Sequence, residues 1–287
     1  MRGADMSEHV SAPGGVVRRV GFIGLGSQGG PMARRIAESG FPTTLWARRP
    51  AAVEPFADTP AAVAASPAEL GAACDLVCVC VVDDAGVEEV VGGVLPEMAE
   101  GGIIAVHSTV HPDTCRRLAE RAAARGVDLV DAPVSGGGEA ALRGRLLVMA
   151  GGDARAVEAC RPVFETYGSP VLHLGGVGAG QLAKILNNFL LTANLAAADG
   201  AYTLGRALGV DPAQFAEVVA HGSGASFAAA RLLPRSGFDL GAMAQHAGPL
   251  LRKDVRLLAD LADAAGAKAV AAIDAADAAL AAMGHPR

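Results

Sequence analysis

The stretch GVGAGQLAKILNNFLLTANLAAADGAYTLG, Gly176 to Gly205, divides the chain into two parts with different secondary-structure patterns. It opens in a cluster of glycines and continues as a long apolar segment with helical spacing. Lys184 lies near its start, and Asn187 and Asn188 follow about one helical turn later, so the three side chains share one face. Because lysine and asparagine are usually exposed unless paired, these polar groups among leucines indicate either a solvated stripe or a functional site.

Before this stretch, short apolar runs alternate with helical patterns from Arg18 onward. Such alternation predicts a parallel sheet with helices on both faces. The run DLVCVCVV, residues 75–82, is apolar on both faces, as a central parallel strand requires. After Gly180 the strand patterns cease, and helical segments rich in alanine and leucine follow, with Asp211 as a helix cap. The sequence therefore predicts an α/β part followed by an all-helical part.

The first strand runs into a glycine-rich turn that carries the pattern G-x-G-x-x-G. Gly24 permits the tight turn, Gly26 lets a pyrophosphate approach the backbone, and Gly29 lets the next helix pack against the strand. The helix that follows presents its N-terminus to the phosphates. The sequence therefore predicts a Rossmann-type dinucleotide site, and the candidate cofactor contacts of this loop are Gly24, Leu25, Gly26, Ser27, Gln28 and Gly29.

The end of the second predicted strand indicates which nicotinamide cofactor is preferred. An NAD site usually places an acidic residue there to bind the ribose hydroxyls. Here Arg48 and Arg49 occupy the position, and the first acid is Glu54. Guanidinium groups pair well with a 2′-phosphate, so NADP is predicted to be preferred, with NAD still possible.

These observations predict three segments: a disordered tail over residues 1–17, a dinucleotide-binding Rossmann domain over 18–178, and an all-α substrate and dimerisation domain over 179–287, joined to the Rossmann domain by a long helix. The N-terminus lacks the apolar core of a signal peptide. No uncharged apolar run is long enough to span a membrane.

The composition excludes several other classes of protein. The net charge is −6 and basic residues form no concentrated run, so nucleic-acid binding is not expected. Hydrophobic residues make up 51% of the chain, which predicts extensive helix burial in a homodimer or homotetramer formed through the helical domain. The five cysteines lack metal-ligand spacing, so we expect no metal site and instead free thiols in a reducing cytoplasm.

Five segments, in order, resemble the β-hydroxyacid dehydrogenases, the family of 3-hydroxyisobutyrate dehydrogenase and of the tartronate semialdehyde and glyoxylate/succinic semialdehyde reductases. The resemblance covers roughly residues 18 to 265. DAPVSGGGEAALRG and GAGQLAKILNN carry it most specifically, because both motifs are much rarer than G-x-G-x-x-G. The other three segments are GLGSQGGPMARRIAESG, HSTVHP and LRKDVRL.

The resemblance implies roles for the matching residues. Lys184 would be the catalytic acid/base, and Asn188 would hold the substrate beside it. Ser135, Gly136 and Gly137 would bind the carboxylate of the substrate, and Ser135 is counted with the catalytic residues. The remaining implied contacts to the cofactor are Ser108, Thr109, Val81 and Val82. Lys253 would reach the cofactor or the substrate, and Asp254 would orient it.

The residues themselves support this chemistry. A serine followed by consecutive glycines offers a hydroxyl and backbone N–H groups to a carboxylate, although a flexible turn would have the same sequence. A free lysine, with a pKa of about 10.4, is a poor base near neutrality. We expect apolar burial and a second cation such as Lys253 to lower the pKa of Lys184.

Some residues depart from the family pattern. Gln28 stands where the family usually has methionine, and Val81–Val82 where it usually has Leu-Pro. His107 replaces a small or polar residue before Ser108. His246 lies upstream of Lys253, in a region expected to close over the active site, and is the internal histidine most suited to touch substrate.

Three functions therefore remain open. The first is an NADP-dependent oxidoreductase that acts on a small β-hydroxyacid or its semialdehyde. The second is an imine reductase on the same fold, against which Lys184 argues because such enzymes usually replace this lysine. The third is a catalytically silent NADP-binding module, which predicts loss of Lys184 or of the Ser135–Gly137 loop, whereas both are present.

Overall fold

A computed structural model describes residues 17–287, apart from the side chain of His246. The predicted disordered tail lies outside the described residues except for Val17, which is buried in the apolar core of the sheet. The chain divides between Gln181 and Leu182 into two compact units.

The first unit is built on a six-stranded parallel sheet with the order β3-β2-β1-β4-β5-β6. This is the Rossmann order, in which the chain changes direction across the sheet beside β1. The predicted α/β part is therefore confirmed, and the short edge strand β3 is the only strand of this sheet that the sequence analysis missed. The strands are β1 (Val20–Ile23), β2 (Thr43–Trp46), β3 (Ala62–Val63), β4 (Leu76–Val79), β5 (Ile103–Val106) and β6 (Asp128–Asp131).

Helices cover both faces of this sheet, as predicted. Successive strand residues enter separate apolar cores: Phe22 packs in one and Ile23 in the other, because neighbouring side chains of a strand point to opposite faces. The Ser66 hydroxyl caps its helix by accepting from the backbone N–H of Glu69 at 3.1 Å. The helices are α1 (Gly29–Glu38), α2 (Pro67–Ala73), α3 (Asp84–Val94), α4 (Pro112–Ala123), α5 (Gly137–Leu142) and α6 (Ala154–Phe164).

A second, three-stranded sheet departs from the single parallel sheet that the sequence predicted. It contains β7 (Val134–Ser135), β8 (Leu146–Ala150) and β9 (Gly168–His173), with β7 antiparallel and β9 parallel to β8. The difference arises because the glycines after Ser135 begin the short helix α5 instead of ending the strand in a loop. The chain then returns beside β7 in the opposite direction.

The second unit is helical, as predicted. Asp211 caps α8 by accepting from the backbone N–H of Gln214 at 2.9 Å. Helix α10 begins at Ala244. The helices are α7 (Ala179–Ala207, whose first turn belongs to the first unit), α8 (Pro212–His221), α9 (Leu233–Arg235), which continues a π-helical turn, α10 (Ala244–Ala264) and α11 (Val270–Ala282). Among the helices of residues 17–287, none combines the length and apolar composition needed to cross a membrane.

Candidate active site

The five longest strands of the large sheet end in one row. Ile23 pairs with Trp46 and Val79, Val79 with Val106, and Val106 with Asp131. The segments that follow these strands are therefore neighbours at the carboxyl edge, which is where ligands bind in sheets of this kind. The predicted cofactor residues of the first unit all lie in these segments: Gly24–Gly29, Arg48–Arg49, Val81–Val82 and Ser108–Thr109.

The three glycines of the first loop fit the three roles predicted for them. Gly24 has a φ of +101°, which favours glycine, and a Cβ there would collide with the Cys80 carbonyl. A Cβ at Gly26 would meet nothing within 4 Å, so its backbone is open to a ligand. A Cβ at Gly29 would strike the carbonyl of Gly24. The loop therefore has both the close helix–strand packing and the open space that a bound pyrophosphate requires.

Arg48 and Arg49 are both exposed directly after β2. The Arg48 guanidinium is not without a partner, because its Nη2 lies 2.7 Å from the Oε2 of Glu89 on α3. Both side chains of this pair are about two-thirds exposed, at 69% and 66%. A 2′-phosphate bound by Arg48 would have to compete with the Glu89 carboxylate, which was not predicted to lie there.

The predicted substrate loop lies against the cofactor loop within the first unit. Ser135 is half-buried at the end of β7, and Gly136 and Gly137 have φ values of +135° and +78°. Gly138 approaches the backbone of Ser27 so closely that a Cβ would collide with the Ser27 carbonyl. Gly138 was not among the predicted site residues, although its place in a run of three glycines was the available signal.

Ser108 is almost completely buried, with 3% of its surface exposed, and its hydroxyl accepts from the backbone N–H of Val81 at 2.8 Å. Two predicted cofactor segments, after β4 and after β5, are therefore tied together by this hydrogen bond. Thr109 is half-buried beside it, and Val82 is exposed. The Gln28 amide lies 3.8 Å from the sulfur of Met32, one turn along α1.

Asp131, the aspartate of the DAPVSGG motif, is a buried residue that sequence reasoning missed. Its carboxylate accepts hydrogen bonds from the backbone N–H groups of Gly178 at 2.6 Å and Gln181 at 2.8 Å. Burial raises the pKa of Asp131 to about 6, although the backbone hydrogen bonds oppose this shift. Asp131 therefore fixes the start of α7, the helix that carries Lys184 and Asn188.

The second unit brings the other predicted polar residues together. The Asn188 amide donates to Oδ2 of Asp254 at 2.6 Å, and Lys253 Nζ lies 3.0 Å from the other oxygen of Asp254. The carboxylate is thus buried between an amide and an ammonium group.

Lys184 is half-buried on the same helix as Asn188. Burial lowers the pKa of Lys184 to about 8; the negative charge of Asp254 opposes this shift, and the positive charge of Lys253 adds to it. A sizeable fraction of this amine is therefore neutral near physiological pH, and it can both accept and donate a proton. His246 belongs to α10, but its side chain lies outside the described residues.

His107 has a structural role in the core of the first unit. Its Nδ1 lies 2.6 Å from the carbonyl oxygen of Ala132, which can only accept, so Nδ1 carries the proton. Its Nε2 accepts from the Tyr167 hydroxyl at 3.2 Å. Burial lowers the pKa of His107 to about 4, so the ring is neutral at pH 7.

Residues 17–287 contain no group of three or more His, Cys, Asp or Glu side chains placed to hold a metal ion. The five cysteines are free thiols, and all but Cys80 are fully buried.

Two family models match consecutive parts of the chain. The NAD-binding domain of 6-phosphogluconate dehydrogenase matches residues 19–175. The model described as the NAD-binding domain of NADP-dependent 3-hydroxyisobutyrate dehydrogenase matches residues 178–285. Together they cover both units.

Individual proteins are also similar to the chain over most of its length. Mitochondrial 3-hydroxyisobutyrate dehydrogenase of Mus musculus is 33% identical over 250 residues, which cover 84% of this chain and 75% of the mouse protein. The 3-hydroxyisobutyrate dehydrogenase of Mycobacterium tuberculosis, solved with L-serine, superposes with a TM-score of 0.81 at 28% identity, covering 93% of this chain and 94% of that one. A reductive aminase from Aspergillus terreus shares the fold alone, with a TM-score of 0.64 at 21% identity over 90% of each chain.

Proposed function

The chain belongs to the β-hydroxyacid dehydrogenase family and is an NAD(P)-dependent hydroxyacid dehydrogenase. Within that activity, we propose that it prefers NADP and interconverts a small β-hydroxyacid and its semialdehyde or oxo-acid. Lys184 is the general acid/base in this proposal. The observation that carries it is the half-buried Lys184 amine, with its pKa lowered to about 8, beside Asn188 and the Lys253–Asp254 pair.

Lys184 has the proton chemistry that both directions of the reaction need. The bound nicotinamide supplies or accepts the hydride. In oxidation, the neutral Nζ of Lys184 accepts the proton of the substrate hydroxyl; in reduction, the ammonium form returns a proton to the carbonyl oxygen. A lysine with an ordinary pKa would be almost entirely protonated at neutral pH and could serve only as an acid.

Substrate recognition in this proposal falls to Ser135, Gly136, Gly137 and Asn188. The hydroxyl of Ser135 and the backbone N–H groups after it suit a carboxylate, which is the group that all small hydroxyacids share. The positive φ values of Gly136 and Gly137 explain why glycine stands at both positions, because side chains would be strained there. Asn188 orients the reacting oxygen, and His246 remains a candidate substrate contact.

The NADP preference is supported by Arg48 and Arg49, which are exposed after β2 where an NAD-specific site would hold an acid. The glycine loop from Gly24 to Gly29 would hold the pyrophosphate. The other proposed contacts to the cofactor are Thr109, Val81, Val82 and Lys253. Ser108 acts through its hydrogen bond to Val81. Residues 18–178 form the cofactor domain in this proposal, and residues 179–287 form the substrate and dimerisation domain.

A homodimer or homotetramer formed through the helical part is proposed as well. Leu182, Leu186 and Leu190 recur at every fourth residue of α7 and are exposed by 37%, 53% and 59%. An apolar stripe of this kind is typical of a surface that another chain covers. Light scattering coupled to size exclusion tests this, and a single species at monomer mass would contradict it. The five free thiols support a cytoplasmic location.

The catalytic proposal is tested by NADPH oxidation with glyoxylate, succinic semialdehyde, tartronate semialdehyde and methylmalonate semialdehyde, and by the reverse reaction with the hydroxyacids. At least one pair should turn over, and Lys184→Ala should remove most of that turnover while NADPH still binds. An equally active Lys184→Ala variant would contradict the assigned role. NADPH binding without turnover on any compound would support a silent binding module, and turnover only on imines would support an imine reductase.

A further inference from the structure

Gln181 occupies the first turn of α7 and is completely buried, with 0% of its surface exposed. Its amide nitrogen donates to the carbonyl oxygen of Ser108 at 2.8 Å, and its amide oxygen accepts from the backbone N–H of Val110 at 3.1 Å. The two hydrogen bonds fall on either side of Thr109. One side chain therefore holds both peptide groups that flank the proposed nicotinamide contact.

The backbone of Gln181 is fixed from the opposite direction. Its N–H donates to Oδ2 of Asp131 at 2.8 Å, at the end of β6. Gly180 lies beside the same carboxylate, where a Cβ would crowd both the Asp131 carboxylate and the Met149 carbonyl. The first turn of α7 therefore cannot shift relative to β6 without breaking hydrogen bonds to a buried carboxylate, which is costly.

The same set of hydrogen bonds reaches a third strand end. The carbonyl oxygen of Ser108 accepts from the Gln181 amide. The hydroxyl of Ser108 accepts from the backbone N–H of Val81, which follows β4. The ends of β4, β5 and β6 and the first turn of α7 are thus connected through buried polar groups.

We propose that Gln181 is a positioning residue, which holds the Ser108–Val110 segment, and with it Thr109, against the start of α7 so that the nicotinamide contact keeps the geometry that hydride transfer needs. The inference rests on the proposed function, because it presumes that Thr109 contacts the nicotinamide. Alignment matters because a displacement of about 1 Å in an active site can cost about 10²-fold in rate.

The first test is Gln181→Met, which keeps the length of the side chain and removes both hydrogen bonds. Turnover at saturating cofactor and substrate should fall by about 10²-fold, whereas the Kd for NADPH, measured by fluorescence, should change by about tenfold or less. The matched control is Gln214→Met, which changes an exposed glutamine in the first turn of α8 and should leave turnover unchanged. Turnover of Gln181→Met near the parent value would overturn the proposal.

The second test is Gln181→Glu, which has nearly the same shape. A protonated carboxyl can donate to Ser108 and accept from Val110, whereas a carboxylate cannot donate. The titratable groups facing this position are Asp131 on β6 and the Cys115 thiol on α4, whose pKa burial raises well above its usual range. Turnover of Gln181→Glu should therefore approach the parent value at low pH and fall as the new carboxyl ionises.

Circular dichroism at each pH separates positioning from folding, because a purely structural role would lower turnover only in proportion to the folded fraction. A Gln181→Glu profile parallel to that of the parent would overturn the proposal. The variant Lys184→Ala separates a failure of the role of Gln181 from a failure of the proposed function. Loss of turnover in Lys184→Ala with normal turnover in Gln181→Met rejects the role of Gln181 alone, whereas normal turnover in Lys184→Ala rejects the proposed function.

Discussion

The side-chain amide of Asn188 donates a 2.6 Å hydrogen bond to Oδ2 of Asp254, a residue with only 2% of its surface exposed. This hydrogen bond joins α7 to α10 within the second unit. The same carboxylate faces Lys253 at 3.0 Å and opposes the lowering of the Lys184 pKa. Asn188 therefore holds in place the anion that, together with Lys253, adjusts the proton affinity of the proposed acid/base.

The pH dependence of turnover should reverse between the two reaction directions. Because burial lowers the pKa of Lys184 to about 8, its neutral form becomes the major one above that pH. Oxidation of the hydroxyacid should accelerate as pH rises through about 8, and reduction should slow over the same range. Profiles of kcat in both directions measure this, and profiles without a limb near pH 8 would contradict it.

Asp254→Asn should move the limb near pH 8 in the kcat profiles to lower pH. The substitution keeps an oxygen that can accept from Asn188, but it removes the negative charge that raises the pKa of Lys184. The control is Asp260→Asn, which changes an exposed aspartate on the same helix and should leave the limb in place. A limb that stays at the same pH in Asp254→Asn would show that Asp254 does not act on Lys184 in this way.

Arg48 and Glu89 should affect the choice between NADP and NAD in opposite directions. Arg48→Gln should weaken NADP binding by about tenfold to a hundredfold, because a charge-assisted contact to the 2′-phosphate contributes about 1.5–3 kcal/mol. Glu89→Gln frees the Arg48 guanidinium and should strengthen NADP binding by up to about fivefold, since an exposed ion pair contributes at most about 1 kcal/mol. NAD binding should change in neither variant.

The neighbouring Glu88 provides the control for this pair. Its Oε1 lies 2.6 Å from Arg117 on α4 and makes no ion pair with Arg48, so Glu88→Gln should change NADP binding little. Titrations at low and high salt measure the effect, which should shrink as salt screens the exposed charges. Equal gains from both glutamate variants would indicate a general effect of net charge.

Gly26 and Gly29 should respond differently to alanine. A Cβ at Gly26 meets nothing within 4 Å, so the free energy of unfolding of Gly26→Ala should stay within about 0.5 kcal/mol of that of the parent. Its methyl group would occupy the space proposed for the pyrophosphate and should weaken cofactor binding by about tenfold or more. Gly29→Ala should instead lose about 2–4 kcal/mol of stability, because its Cβ collides with the Gly24 carbonyl.

Denaturant titrations and cofactor binding by fluorescence measure both quantities for each variant. Unimpaired cofactor binding by Gly26→Ala would show that the pyrophosphate does not lie over this loop.

Because the buried His107 ring resists protonation, the free energy of unfolding of the protein should fall in mild acid. Its pKa is about 4 in the folded state, below the ordinary value of 6.5, so the unfolded chain binds a proton that the folded chain does not. The contribution to stability is therefore complete above about pH 6.5 and lost as pH falls towards 4. At pH 5 the loss from this group is about 2 kcal/mol relative to pH 7.

Asp131 acts in the opposite sense over part of this range, because its raised pKa makes the folded state bind protons as pH falls through about 6. Denaturation of the parent and of His107→Gln at pH 7 and pH 5 isolates the histidine contribution, with His173→Gln as the exposed control. The parent should lose about 2 kcal/mol more than His107→Gln between the two pH values. Equal losses would show that His107 is not held neutral.

Local patterns predicted most of the architecture. The β–α alternation, the glycine turn after Ile23 and the cap at Asp211 all appear as expected, because each depends on residues close together in the chain. The separate three-stranded sheet and helix α5 were not predicted. Which strands pair depends on the direction in which the chain returns after Gly136, and that direction is not a local property of the sequence.

The sequence by itself determined the two-part fold and the cofactor loop, because hydrophobic spacing, glycine conformation and helix periodicity are local properties. Lys184 became the candidate acid/base through the resemblance of its segment to the family. Only the tertiary structure decided which polar groups meet. Gln181 reaches Ser108 across 73 residues, Asn188 reaches Asp254 across 66, and Arg48 meets Glu89 across 41. These contacts depend on strand order and helix packing, which bring distant segments together, and the pKa of Lys184 depends on the burial and the charges that such packing creates.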